Sequence, residues 1–170
     1  MFEARAWIAQ AMSDARTASA LLALPEPMND DDRGCHVAAL SAQTVEKSIK
    51  AYVILNGARP GMTHRADKYL SSLLAGGGLL RHAEHRAALS ALFDPPTRGV
   101  VRQLLDLTPG TTAHKDPPNT EYPWGQGFDA TSPAGSPELS SVDDAKLWAS
   151  AAMRVVTGVR KLIIAADRFG

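Results

Sequence analysis

The sequence predicts an all-α protein, an antiparallel up-and-down helical bundle. Two long stretches, the central one over Cys35 to Asn56 and the closing one over Ser140 to Asp167, carry apolar residues at steps of three and four, and the central one has neither Pro nor Gly. The apolar supply is mostly Ala and Leu, with aromatics at only 6%, which favours helices packed through small side chains. No segment shows the alternation of a half-buried strand, and no internal repeat is present. At 170 residues the chain suits one domain, 1–170, with a core of its own.

The first helix is expected over Glu3 to Leu24. Ala4, Ile8, Ala11, Ala15, Ala18 and Leu22 fall on one face, Trp7 and Met12 widen it, and Pro25 and Pro27 end it. Asp30, Asp31 and Asp32 follow in a polar turn. Without spaced partner ligands, this trio reads as a solvated turn and helix cap rather than a hard-metal site. The central helix is expected over Cys35 to Asn56, with Ala38, Ala42, Val45, Ile49 and Val53 inward, Asp31 or Asp32 as N-cap, and Gly57 as the stop. Its polar stripe is His36, Gln43, Lys47 and Lys50. Cys35 is the single cysteine, so the chain has no internal disulfide and no thiolate metal cluster; the residue reads as a small buried or cap-adjacent side chain.

The middle of the chain breaks into shorter pieces. A short helix is expected over Arg65 to Leu74, and a turn at Gly76 to Gly78 lacks the Lys-Ser/Thr of a phosphate loop. A further helix is expected over Leu79 to Phe93, with Leu80, Ala83, Ala87, Ala88, Ala91 and Leu92 inward. Its His82 and His85 lie about one turn apart, but with no third ligand they read as a surface pair. Pro95 and Pro96 end it, and Thr97 to Leu107 forms the next, with Val100, Val101, Leu104 and Leu105 inward. A long Pro/Gly-rich loop, about 108–137, holds Tyr122 and Trp124, which are expected to pack back on the bundle; Ser132 to Ser136 is expected to be mobile. The last helix is expected from Ser140 or Ser141, as cap, to Asp167, with a seam running from Val142 through Ala145, Ala149, Ala152, Val156 and Val159 to Ala166.

Charge narrows the function classes. Lys and Arg number 18 against 18 Asp and Glu, which excludes a strongly basic nucleic-acid binder but leaves room for a local basic patch. No apolar run approaches the roughly 20 residues of a membrane span, and the N-terminus carries no signal-peptide core, so a cytoplasmic protein with no membrane association is expected.

The stretch AQTVEKSIKAYVILNG, then a short turn and His64-Arg65-Ala66-Asp67-Lys68-Tyr69-Leu70, resembles the second-helix signature of HEPN domains. The amphipathic first helix and the Glu121-Tyr122-Pro123 segment before the last helix suit the same family. The resemblance implies a bundle of this length, commonly a homodimer, acting with RNA or nucleotides, or with a nucleotidyltransferase-type partner, in toxin–antitoxin or other defence systems. Its ribonuclease members carry an Arg and, after a short polar gap, a His near the start of the last long helix. Here no His follows His114. Arg59 and His64 have a similar spacing but lie in the turn after the central helix. The resemblance therefore implies a binding or regulatory protein that is not an efficient nuclease, with a divergent metal-independent ribonuclease as the alternative.

Metal-free RNA cleavage needs a base for the 2′-hydroxyl and a cation for the developing charge. Arg59, His64 and His114 are the candidates for that chemistry, with His36 and Lys115 in the same inventory. Gln43, Lys47 and Lys50 share a stripe that could line a phosphate or nucleotide groove, or could be interfacial with Glu46 offsetting a Lys. Tyr122 could stack a base or staple the loop to the core. No metal or cofactor is implied.

Overall fold

The computed structural model describes residues 2–24, 30–61, 66, 69, 82–92, 94–107, 139 and 141–169. Among them are five α-helices and one 3-10 turn, and no strand. They are α1 (Phe2–Ala23), α2 (Asp30–Leu55), α3 (Ala83–Ala88), the 3-10 turn Ser90–Leu92, α4 (Pro95–Asp106) and α5 (Val142–Phe169). The fold class is the all-α bundle that the periodicity predicts. No helix of the described residues is long and apolar enough to cross a membrane.

The three long helices make most of the core, and Leu89, Leu92, Val101 and Leu104 complete it from the shorter elements. α2 packs most extensively on α1 and α5, and these two also touch each other. From α1, Ala4, Ile8, Ala11, Ala15 and Ala18 are buried, at intervals that let α2 approach closely. Val45, Ile49 and Val53 of α2 and Ala152, Val156 and Val159 of α5 are buried as expected. Trp148 is the largest fully buried side chain among the described residues, and its indole N–H donates to Gln103 Oε1 at 3.3 Å, fixing α5 against α4.

Helix ends follow local chemistry. α2 stops at Gly57, whose φ of +76° only glycine adopts without strain. The amide of Gly57 donates to Ile54 O and that of Ala58 to Val53 O, the two bonds of a Schellman cap. Ser141 caps α5, its hydroxyl accepting the amide of Asp144 at 3.2 Å.

Several boundaries differ from the expectation. α2 begins at Asp30, five residues before Cys35, so Asp31 and Asp32 lie inside its first turn rather than ahead of it as caps. The helix expected over Leu79 to Phe93 is described from Ala83 only. It ends at Ala88, because Leu89 leaves helical geometry (φ −100°, ψ 20°) before the 3-10 turn. Ala91 and Leu92 are buried as expected, but Ala83 and Ala87 are exposed, and Leu89 adds burial that was not expected. Pro95 and Pro96 open α4 rather than precede it: with Asp94 at the N-cap they occupy the first turn, where a missing N–H costs nothing. α5 runs two residues past Asp167. The short helix expected over Arg65 to Leu74 lies outside the described residues except for buried Ala66 and half-buried Tyr69. The loop 108–137, with the expected packing of Tyr122 and Trp124 and the expected mobile stretch, lies outside them entirely.

Candidate functional site: the solvent face of the last helix

The polar stripe of α2 lies in the seam between α1 and α2. Lys47 Nζ donates to Asp14 Oδ2 at 2.6 Å and to Gln43 Oε1 at 3.1 Å, and Gln10 donates to the other oxygen of Asp14 at 2.8 Å. One turn further, Lys50 Nζ donates to Glu46 Oε1 at 2.6 Å and sits 5.2 Å from the ring centre of Trp7. Both side chains of the Lys50–Glu46 pair are under 8% exposed. The structure thus sets Gln43, Lys47 and Lys50 along one seam, from which Lys47 and Lys50 reach α1. For Lys50 to meet a phosphate it must leave a buried carboxylate behind. His36 is exposed near the start of α2, and Arg59 is exposed in the turn after it. His64, His114, Lys115 and Tyr122 lie outside the described residues.

The histidine pair on α3 is not symmetric. His82 is exposed, but His85 is half-buried, with its Nδ1 3.0 Å from the Tyr52 hydroxyl. Burial, and then the neighbouring His82, holds the His85 imidazole below its ordinary value, while burial pushes the Tyr52 phenol up. A neutral phenol and a neutral imidazole fit together when the phenol donates to Nδ1, which leaves the ring proton on Nε2. In that tautomer the free ring nitrogen is a donor and not a general base. Among the described residues, no group of three His, Cys, Asp or Glu could hold a metal. Cys35 is buried, which raises its thiol, with Asp32 adding to the effect.

The sequence reading missed the outer face of α5. Lys146, Ser150, Arg154, Thr157 and Lys161 recur at steps of four, four, three and four, so they share one side of the helix. The stripe is about 22 Å long at 1.5 Å per residue. Between Ala145 and Ala166 the helix has four basic residues, Lys146, Arg154, Arg160 and Lys161, and no acid; its acids stand at the ends, as Asp143, Asp144 and Asp167. Leu147 and Ile164 are exposed apolar members of the same surface. The spacing of these residues is the sequence signal that carries the stripe.

Two clefts flank the stripe. One, of about 440 Å³, lies between α1 and α5 and is lined by Ser19, Leu22, Lys146, Ala149, Ser150, Met153 and Arg154. The other, of about 270 Å³, lies between α5 and the α3 region and includes Ser90, Met153, Arg154, Thr157 and Lys161. Met153 and Arg154 form the ridge that both share. Arg154 is only loosely held: its guanidinium meets Asp94 at 3.3 Å and the Thr97 hydroxyl, with both charged partners more than 40% exposed. The Thr97 hydroxyl first, and then Arg154, keep the Asp94 carboxyl below its ordinary range. Lys146 pairs with Asp143 at 2.8 Å on the open surface. Such exposed pairs exchange readily for a stronger anion, since each is worth little in water. Lys161 has no ion-pair partner among the described residues.

No protein-family model, curated protein or solved structure matches the chain.

Proposed function

We propose that this chain is an HEPN-like binding or regulatory bundle that engages RNA or nucleotide phosphates through the solvent face of α5, and that it does not cleave RNA efficiently. The observation that carries this reading is the acid-free run of Lys146, Arg154, Arg160 and Lys161, interleaved with Ser150 and Thr157 and flanked by two clefts. Ammonium, guanidinium and hydroxyl groups on one face are the donors that phosphate oxygens accept from. The balanced net charge removes long-range attraction, so affinity is modest and set by these local contacts. The second-helix resemblance and the absence of a His after His114 support the non-nuclease part.

A homodimer and a nucleotidyltransferase-type protein are the partners this reading expects. Among the described residues α2 fully exposes only Asp32 and His36, so the central helix has little surface to give a second copy.

Fluorescence anisotropy with a mixed RNA pool tests the binding. Replacing Lys146, Arg154 and Lys161 together with Gln should weaken it roughly tenfold, three exposed contacts at about 0.5 kcal/mol each. Replacing the exposed Arg16 and Arg102 should leave it unchanged. Equal losses from both sets would remove α5 from the site. Robust metal-free cleavage of the same pool, lost on changing His64 or His114, would overturn the non-catalytic part.

A further inference from the structure

The cleft between α1 and α5 has a composition that a phosphate alone does not use. Its lining is mostly apolar, with Leu22, Ala149 and Met153, and also includes the cations Lys146 and Arg154. At about 440 Å³ it is in the range of small-molecule sites. The hydroxyl of Ser19 donates to Ala15 O at 2.9 Å, so toward the cleft this oxygen is left to accept, and a donor on an occupant can meet it. The Met153 thioether in this lining favours the face or edge of an aromatic ring. An apolar ring bearing N–H or O–H donors and joined to an anion is the chemistry of a nucleotide. An acyl chain would bring no donor, and polyphosphate would bring no ring.

Resting on the reading of α5 as a phosphate-binding face, we infer that this cleft seats one unpaired nucleotide, its base on Met153 and Leu22 and its phosphate between Lys146 and Arg154. A base paired within a duplex has its faces covered by its neighbours, so the site selects single strands. Lys161 then serves the next part of the same strand, across the ridge that Met153 and Arg154 form between the two clefts.

Three probes test this on the full chain: a single-stranded RNA, the same sequence as a duplex, and inorganic polyphosphate. Met153 is half-exposed, and Met153→Gln keeps the length and helix preference of the side chain while removing its apolar, polarisable end. It should weaken single-strand binding about fivefold or more and leave duplex and polyphosphate unchanged, whereas Met153→Leu should stay near the parent. Circular dichroism melts of both variants confirm that they fold. Equal affinity of the parent for all three probes, or an equal loss with Met153→Gln on all three, would overturn the nucleotide seat while leaving the phosphate-binding face intact. Failure of the parent to bind any probe would overturn both.

Discussion

Gly158 of α5 sits in close backbone contact with the end of α3, and Gly158→Ala probes that contact sharply. A Cβ built there would stand 1.9 Å from the carbonyl oxygen of Ala88 and 3.0 Å from its carbon. Cβ contacts under 3.0 Å essentially never occur, so the carbonyl must retreat by roughly 1 Å or more. That oxygen belongs to backbone, at the last residue of α3, and the next residue, Leu89, is buried in the core. It cannot swing aside as a side-chain tip would. Two effects oppose each other. Alanine in a helix interior gains about 1 kcal/mol over glycine, while overpacking costs about 1–3 kcal/mol and occasionally more. Because the obstacle is backbone, the second effect should win, leaving a net loss of about 2 kcal/mol. For a domain of this size that lowers Tm by about 4–8 °C. Urea unfolding with fluorescence detection of the buried Trp148 measures the loss directly. A variant as stable as the parent, or more so, would mean that α3 does not cross α5 at this residue.

Two further predictions concern buried polar groups. Lys50→Met should cost about 3 kcal/mol by chemical denaturation, because it leaves Glu46, only 4% exposed, without its ammonium. Adding Glu46→Gln should recover part of that loss, and a single-variant cost under about 1 kcal/mol would show that the pair is not part of the interior. His85 has a folded value below its ordinary 6.5, so between those two values the unfolded chain binds more protons than the folded one. Stability should therefore fall as pH drops from about 7 towards 5, and His85→Gln should flatten this part of the Tm profile; an unchanged slope would contradict the placement of His85 against Tyr52.

The long helices were legible because their signals are local and redundant. Val45, Ile49 and Val53 repeat along α2, Ala152, Val156 and Val159 along α5, and Gly57 and Ser141 mark ends with the chemistry those ends require. Boundaries set by tertiary contact were not. Three consecutive Asp suggested a turn, yet α2 runs through them. Two prolines read as the end of one helix are the first turn of the next, since the same residue does both. The stripe of α2 was legible as a stripe, and Glu46 as an offset to a Lys, one turn away in sequence. Its other partner, Asp14, is 33 residues from Lys47, a distance that periodicity cannot bridge. The basic face of α5 was written plainly in the spacing of Lys146, Arg154 and Lys161. What the sequence could not supply is the pair of clefts beside it, which need Ser19 and Leu22 from α1 and Ser90 from beyond α3.

The central claim is that cations on α5 contact the phosphates, and the salt dependence of single-stranded RNA binding tests it most directly. Each phosphate neutralised on a single strand contributes about 0.7 to the slope of log affinity against log salt. With Lys146, Arg154 and Lys161 in contact, the parent slope should be about −2, and Arg154→Gln should reduce its magnitude by about 0.7. A slope near zero, or one unchanged by removing Arg154, would contradict the account.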